Sequence, residues 1–454
     1  MEAGSRKQLG GSSVTWLAYP AIVALLLTTG CALEVAPESS DSVQRQSSAL
    51  TTSTSATSNL NQPDAGLNQP NQQEITIASL PSSRCVLTED ATGNHMSVFA
   101  DDEGLVYLYA APSDVSHTFT LTCDESIADV SGGKADALYH FDLASSDTYI
   151  PAQARATSKR RRFVPPLSHP ETVSQSAIIA AGFPPRPQLD DPGYAKWSEL
   201  VSNGVTLIDA ATVDTTFHRG TATPAPSPNW GGVALNYNAP NNHYSYVNSY
   251  FYVPNFGQQG GGTSIASLWA GLGGWYDNLI IQAGVDGVCT GGVCTIKPWY
   301  EYYSALDPLH TGYHYQQFTV RPNTDYMYVA VWESDASGNY GPSYHGYGSF
   351  YVWNTTLNNG FFVILPKPTG TFVGATCESI VERVADCGSY CYLSSWSSWL
   401  YTRFQCYDQG QTHYWNVSTD PYLLITMTNS SNQALVAPQA TPTYWAGMDW
   451  QRSH

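Results

Sequence analysis

Charged side chains are scarce in this chain of 454 residues. Asp, Glu, Lys and Arg make up only 12% of it, and 19 Lys and Arg stand against 37 Asp and Glu, which gives a formal net charge of −18. This balance argues against nucleic acid as a partner, because affinity for phosphates comes from clustered Lys and Arg. The length exceeds that of one small domain and predicts two or three units.

Several catalytic and metal-binding signatures are absent from the sequence. It contains no HExxH motif, no pair of CxxC motifs and no GxSxG elbow, and its 11 His residues are scattered. The first two absences argue against the common zinc sites, and the third argues against the Ser nucleophile of α/β-hydrolases. We therefore expect no metal site and no cofactor.

Aromatic residues, unlike charged residues, are abundant in the chain. The chain has 30 Tyr and 13 Trp, and aromatic residues make up 13% of it. Such a chain can bury a large core, and its surface must consist mainly of Tyr, Asn, Ser, Thr and Gly. This composition is common among secreted β-proteins.

The N-terminus has the layout of an export signal. Arg6 and Lys7 precede a short apolar run that ends in LLLTTGC (25–31), and the run is too short to span a bilayer comfortably. Small residues directly before Cys31 resemble a bacterial lipoprotein cleavage site. We predict a signal peptide over 1–31, lipidation and membrane anchoring through Cys31, and a secreted or cell-surface protein of the outer-membrane lipoprotein type. The alternative is an ordinary secretion signal with an incidental Cys.

The nine Cys residues fit an oxidising compartment. Without Cys31 eight remain, an even number, as expected for disulfides in a secreted protein. We predict that Cys85 pairs with Cys123, and that Cys289 pairs with Cys294 across a hairpin tip. Three connectivities stay open for the four Cys residues of the C-terminal part, Cys377, Cys387, Cys391 and Cys406.

Changes in composition divide the chain. Residues 32–74 are rich in Ser, Thr, Gln, Asn and Pro, which is typical of a disordered tether. Residues 75–150 alternate apolar and polar side chains and predict a small β-domain. Residues 151–229 contain the basic run SKRRRF (158–163) and much Pro. We interpret them as a pro-segment or linker with one helix at GYAKWSELVSNG (193–204).

Residues 230–454 have an almost purely β pattern. Aromatic-rich apolar runs at 243–253, 325–334, 348–356 and 361–365 are separated by Gly, Pro, Asn and Asp. Many strands without intervening helices predict an antiparallel sandwich or barrel. At this length, two large packed sheets are favoured over a small seven-stranded module.

Two polar residues interrupt apolar runs in this region. Gln282 follows three apolar residues in NLIIQAGVDG (278–287), which we interpret as the end of a strand, and Glu378 lies inside GATCESIVERV (374–384). Alone, each is typical of a satisfied structural group. Whether they act together depends on whether the two side chains meet in space.

The C-terminal part resembles the glutamic peptidases, also called eqolisins. Four motifs between 229 and 407 follow the family's order: NWGG (229–232), LWAG with LIIQAGVD (268–286), WYEYY (299–303) and CESIVERV (377–384). The resemblance implies that Gln282 and Glu378 are the catalytic pair. It also implies a concanavalin-like, legume-lectin-like sandwich of two antiparallel β-sheets with a substrate groove on the concave face, lined by Trp230, Trp299, Glu301 and Tyr303.

Further expectations follow for the site. The strand period puts Glu382 on the face of Glu378, where its charge could raise the pKa of Glu378. The family's usual acidic residue after WxG is displaced here, and the nearest acid is Asp277. The resemblance implies an acid-active endopeptidase for protein or peptide substrates, and we expect a monomer.

The sequence also suggests how activity is held back. We predict a zymogen whose mature form begins between residues 163 and 229, with the basic residues Lys159 to Arg162 lying near the acidic groove at neutral pH.

Other function classes fit parts of the pattern. A lectin-like carbohydrate-binding surface protein or an inactive adhesin would use the aromatic face, and a glycosidase would use Glu301 and Glu378 as paired carboxylates. The fold alone does not decide among them. A binding protein, however, would not require Gln282 and Glu378 together.

Overall fold

The structure is a computed structural model that describes most residues from 73 onward. The described ranges are 73–77, 84–99, 106–110, 118–123, 137–142, 161–208 without 192, 211–214, 227–236, 243–306 without 276, 313–316, 318–384, 391–396, 400–408, 414–415, 421–441 and 445–454. The predicted signal peptide, Cys31 and the tether up to residue 72 lie outside them. Within these ranges no helix is long and apolar enough to cross a membrane.

The region predicted as a small β-domain consists of strands. They are β1 (Gln73–Ile77), β2 (Arg84–Glu89), β3 (His95–Phe99), β4 (Val106–Ala110), β5 (Thr118–Cys123) and β6 (Ala137–Asp142). Four of them form an antiparallel sheet in the order β3-β2-β5-β6. Cys85 and Cys123 lie directly opposite each other on β2 and β5, a spacing that suits a disulfide. Their pairing stays a prediction.

The next segment is more ordered than a linker. It comprises β7 (Arg161–Val164), α1 (Gln175–Ala180), α2 (Tyr194–Asn203), β8 (Val205–Ile208) and β9 (Ala211–Asp214). The helix predicted over 193–204 is confirmed as α2. It ends at Gly204, whose φ of 72° suits a glycine. The shorter α1 was not predicted, since one and a half turns leave no periodic signal.

In the described part of the C-terminal region, every regular element is a strand. The strands are β10 (Trp230–Asn236), β11 (Tyr244–Tyr252), β12 (Phe256–Gly257), β13 (Ser264–Gly273), β14 (Leu279–Thr290), β15 (Val293–Ser304), β16 (Tyr313–Gln316), β17 (Tyr326–Ser334), β18 (Tyr347–Asn354), β19 (Asn359–Pro366), β20 (Thr376–Glu382), β21 (Ser395–Trp396), β22 (Leu400–Asp408), β23 (Tyr414–Trp415), β24 (Tyr422–Ile425), β25 (Met427–Thr428), β26 (Ala434–Thr441) and β27 (Trp445–Trp450). The four predicted runs correspond to β11, β17, β18 and β19.

Two large sheets dominate the described strands. The first has the order β1-β4-β15-β14-β13-β20-β10-β24, and β16 joins it beside β15 and β9. The second has the order β25-β26-β27-β22-β11-β17-β18-β19-β8-β7. The main core lies between them and contains Leu268 and Val285 from the first sheet with Val329 and Val352 from the second. The predicted antiparallel sandwich is confirmed.

The segment before residue 209 extends the second sheet. β8 runs parallel to β19, and β7 pairs antiparallel with β8. On α2, Trp197 and Leu200 are buried in a cluster that includes Trp332 and Tyr351 of the second sheet. Backbone pairing and this apolar face therefore dock a segment that sequence composition alone indicated to be a linker.

Candidate active site

Gln282 and Glu378 lie on the same face of the first sheet. Gly271 on β13 is paired with Gln282 on β14 at one side and with Glu378 on β20 at the other. Directly paired residues of an antiparallel sheet point to the same face. The two side chains therefore flank a glycine that has no side chain of its own. At two strand spacings, their backbones are about 10 Å apart, which leaves room for a reacting group between them.

Gln282 lies inside a strand, and the predicted strand end is wrong. β14 continues from Leu279 to Thr290, so Gly284 does not turn the chain. Gly284 is paired with Trp269 and Trp299 on its two sides. A Cβ there would lie 2.0 Å from the backbone oxygen of Leu268. Gly284 therefore allows the strands to pack closely beside the two Trp residues, and it does not form a turn.

The amide of Gln282 is oriented by Glu301. Gln282 Nε2 donates a hydrogen bond of 2.8 Å to Glu301 Oε2, and the two residues are directly paired on β14 and β15. A carboxylate only accepts, so this contact requires the nitrogen of the amide on that side. A primary amide has a second N–H, which this bond leaves available for another acceptor.

Glu378 is a buried carboxyl. Among the described residues, neither of its oxygens has a hydrogen-bond partner, and its side chain is inaccessible to solvent. Burial raises the pKa of Glu378 well above its usual value, because the carboxylate loses its hydration. The nearby Thr376 hydroxyl, although outside good hydrogen-bond geometry, opposes this pKa shift, and the charge of Asp277 adds to it.

Asp277 stays beside the site despite its displacement in sequence. Its Oδ2 accepts a hydrogen bond of 3.2 Å from the backbone N–H of Ala375, three residues before Glu378. Burial raises the pKa of Asp277 as well, while backbone N–H groups and His243 oppose that shift. Asp277 therefore contributes a like charge beside Glu378, and the predicted influence of Glu382 stays a prediction.

Glu382 has a different contact. It does share the face of Glu378, as the strand period predicts, and it is paired with Trp230 and Ser267. Its Oε2 accepts a hydrogen bond of 3.0 Å from Trp269 Nε1. Glu382 thus holds the indole of Trp269 next to the site. Sequence reasoning missed Trp269, although the strand period could have placed it on this face, two residues before Gly271.

Aromatic side chains cover the rest of this face. Trp230 and Trp269 are in edge contact, with ring centroids 4.8 Å apart, and Trp275 lies 6.1 Å from Trp230. Trp299 and Tyr303 belong to the same cluster. The face therefore brings together the residues predicted to line the groove, Trp230, Trp299, Glu301 and Tyr303.

All of these residues lie within a segment that matches a known family. The sequence model of the Peptidase A4 family matches residues 228–443. This segment is a Peptidase A4 domain. The match puts this segment in the glutamic peptidase, or eqolisin, family and supports a hydrolase function. A comparison with curated proteins finds no match.

Solved glutamic peptidases are similar to the chain at low identity. Scytalido-glutamic peptidase with a peptide-based transition state analog is 17% identical, with 49% of this chain and 98% of that chain covered and a TM-score of 0.39. SCP-B, an eqolisin in complex with the tripeptide Ala-Ile-His, is 16% identical, with 49% and 98% covered and a TM-score of 0.37. Aspergilloglutamic peptidase from Aspergillus niger is 17% identical, with 41% and 99% covered and a TM-score of 0.33.

Disulfides brace the Peptidase A4 domain. Cys377, next to Glu378, is bonded to Cys406 and so joins β20 of the first sheet to β22 of the second. This fixes one pairing that the sequence left open. Cys391 is also disulfide-bonded, whereas Cys387 lies outside the described residues. The predicted pair of Cys289 and Cys294 is confirmed at the tip of the β14–β15 hairpin.

The described part of the basic run does not lie against the site. Arg161 and Arg162 belong to β7, at the edge of the second sheet, whereas Gln282 and Glu378 belong to the first. Pairing of β7 with β8 holds them there. Lys159 and Arg160 lie outside the described residues. The expectation that this run covers an acidic groove is thus not met by its described half.

Proposed function

We propose that the Peptidase A4 domain is an acid-active endopeptidase in which Glu378 carries the proton and Gln282 stabilises the oxyanion. The strand register supports this, because it puts both side chains on one face across Gly271. Both side chains can therefore face the same substrate without any rearrangement of the strands.

Glu378 would act twice in one turnover. As a carboxylate it takes a proton from water while the water oxygen bonds to the scissile carbonyl carbon and the carbonyl electron pair moves to oxygen. The carboxyl then gives this proton to the leaving nitrogen as the C–N bond breaks and the carbonyl re-forms. Glu378 is again a carboxylate, and the products are a carboxyl and an amine.

Gln282 would stabilise the intermediate. The amide stays uncharged at every pH, and its N–H that is not bonded to Glu301 can donate to the oxyanion. In other enzymes the loss of one such donor raises the barrier by about 2.7–4 kcal/mol. The groove residues Trp230, Trp299 and Tyr303 would hold the substrate, and Glu382 would act through Trp269.

The burial of the site supports regulated access. Gln282 is 1% exposed and Glu378 0%, so a peptide reaches them only after part of the chain moves. Entry of solvent would also lower the pKa of Glu378 toward its usual value of about 4.3, so that the carboxyl could lose and regain its proton in acid. This is consistent with a zymogen that opens at low pH.

We also infer secretion through the predicted signal peptide, with Cys31 as the lipid anchor. The scarcity of charge and the disulfides of the Peptidase A4 domain support an oxidising compartment outside the cytoplasm. Mass spectrometry of the mature N-terminus tests this inference, and an unprocessed Met1 on the exported protein would contradict it.

The geometry of the site fits the competing glycosidase function less well. Glu301 and Glu378 are three strand spacings apart, about 14 Å between backbones, and Glu301 already accepts the Gln282 amide. A pure carbohydrate-binding protein would have no use for the Gln282 and Glu378 pair.

One experiment separates these function classes. Full-length protein is purified at neutral pH, shifted to acid, and incubated with casein and, separately, with polysaccharides, while its own mass is followed. We expect casein cleavage well below pH 7, no sugar release, and shortening of the chain at a site between residues 163 and 229. Sugar release without casein cleavage, or a rate that peaks above neutrality, would contradict the proposed function. Full casein activity without any shortening would contradict only the zymogen.

A further inference from the structure

Three side chains with metal-binding atoms meet outside the site described above. His243 Nε2 lies 3.1 Å from Glu333 Oε2, and His345 Nδ1 lies 3.0 Å from the same oxygen. All three atoms are within 4.8 Å of one another. The sequence predicted no metal site, because His243 and Glu333 are 90 residues apart and match no spacing motif.

The sheet itself brings these residues together. β11, β17 and β18 are neighbours in the second sheet. His243 directly precedes β11, Glu333 lies near the end of β17, and His345 comes shortly before β18. These three strand ends meet at one edge of the sandwich. Glu333 is therefore held inside a paired strand, and the two His residues lie close to the ends of the neighbouring strands.

We propose that His243, Glu333 and His345 bind one divalent transition-metal ion of the zinc class, with a fourth position open to water. Two imidazoles and one carboxylate are a donor set that such ions prefer. With metal–ligand bonds of 2.0–2.2 Å, ligand atoms around a tetrahedral ion are about 3.4 Å apart. The two separations from Glu333 Oε2 need only a small outward adjustment to reach this spacing, and the two imidazole nitrogens lie within 4.8 Å of each other.

Charge and access both favour a cation at this place. The Glu333 side chain is only 6% exposed, and the buried carboxyl of Asp277 interacts electrostatically with His243. A dication would therefore compensate carboxylates that have little water around them. His345 is 45% exposed in its side chain, which provides a path for the ion to enter.

The ion would hold the chain next to the strand that carries Glu378. The backbone N–H of Tyr244 donates a hydrogen bond of 2.9 Å to Gly374, and a Cβ on Gly374 would lie 3.0 Å from His243 Cβ. Glu378 follows Gly374 by four residues. The ion's role is to brace this packing, and the inference does not depend on the proposed catalytic roles.

Calorimetric titration with zinc chloride tests the site. The full chain is first freed of metal with EDTA and dialysed, and the titration is done near pH 7.5, because metal binding requires deprotonated ligands. We expect one tight site in the wild type. Glu333→Gln and His345→Asn should each weaken zinc binding by at least about a hundredfold, since each removes one of three ligands.

His169→Asn is the matched control. His169 lies 3.4 Å from Glu171 and belongs to no three-ligand group among the described residues, and its φ of 53° suits Asn. This variant should bind zinc like the wild type. Zinc should also raise the melting temperature of the wild type and of this control, but not that of Glu333→Gln.

Two results would overturn the proposal. One is a wild type with no zinc site tighter than the weak background of its 11 His. The other is unchanged tight binding in Glu333→Gln or His345→Asn. Either would show that the three residues form only a hydrogen-bonded ion-pair cluster. Since His345 is nearly half exposed, its variant should fold, and circular dichroism checks this.

Discussion

At the scale of single residues, the site depends on what surrounds each functional group. Glu378 is isolated from hydrogen-bond partners among the described residues, while Gln282 is held by one bond to Glu301. The first arrangement leaves a carboxyl whose pKa responds strongly to solvent entry. The second leaves an amide with a fixed direction. Glu301 therefore belongs to the site as a positioning residue for Gln282.

Glu301→Gln tests this positioning. A Gln at 301 can donate as well as accept, so the Gln282 amide would no longer be held in one orientation. We expect kcat on a peptide substrate to fall by about ten- to a hundredfold, with little change in KM, because the misplaced donor matters most in the transition state. A change in KM alone would indicate that Glu301 only contacts substrate.

At the scale of elements, docking of the α2 segment depends on a buried acid. Asp191 accepts hydrogen bonds from Asn248 Nδ2 at 2.8 Å, from Gly193 N–H at 2.6 Å and from the Tyr407 hydroxyl. It thereby links the start of α2 to β11 and β22. Burial raises the pKa of Asp191 from 3.8 to about 6, since the hydrogen bonds only partly offset the loss of hydration.

Asp191→Asn tests this link through pH. Because the folded pKa is raised, the stabilisation is fully present below pH 3.8 and is lost as pH rises through about 6. The wild type should therefore lose up to about 3 kcal/mol of unfolding free energy between pH 4 and pH 7 from this group. Urea unfolding at both pH values should show a smaller loss of unfolding free energy for Asp191→Asn than for the wild type. An equal loss in the two proteins would contradict the account.

This pH dependence also revises the picture of activation. The raised pKa of Asp191 predicts that acid strengthens the docking of α2, whereas the zymogen proposed above opens at low pH. A cut within the window 163–229 could therefore leave β7, α2 and β8 attached to the second sheet. Under the proposed function, the chain that shields Gln282 and Glu378 would have to move in acid.

The sequence predicted those features that depend on local pattern. The strands β11, β17, β18 and β19, the helix α2 and the Cys289–Cys294 hairpin all follow from alternation, turn residues or spacing. We placed Gln282 at the end of a strand because a glycine such as Gly284 is typical of a turn. The Trp residues paired with Gly284 on the adjacent strands cannot be known from the sequence. Long-range pairings, such as Glu301 with Gln282 or His243 with Glu333, leave no local signal.

At the scale of the whole molecule, two sheets with different tasks share one core. The first presents an aromatic face with the candidate pair, and the second anchors the preceding segment and the His243, Glu333 and His345 cluster. The Cys377–Cys406 bond joins the two sheets next to Glu378. Stability and the candidate chemistry are therefore coupled through a single strand, β20.

The most direct measurement is the rate of peptide hydrolysis in acid by Glu378→Gln. This variant keeps the size of the side chain but cannot carry the proton, so we predict a fall of about 10²–10⁴-fold in kcat with an unchanged circular dichroism spectrum. Glu171→Gln, the same change at an exposed position, should keep the wild-type rate. Wild-type activity in folded Glu378→Gln would contradict the account.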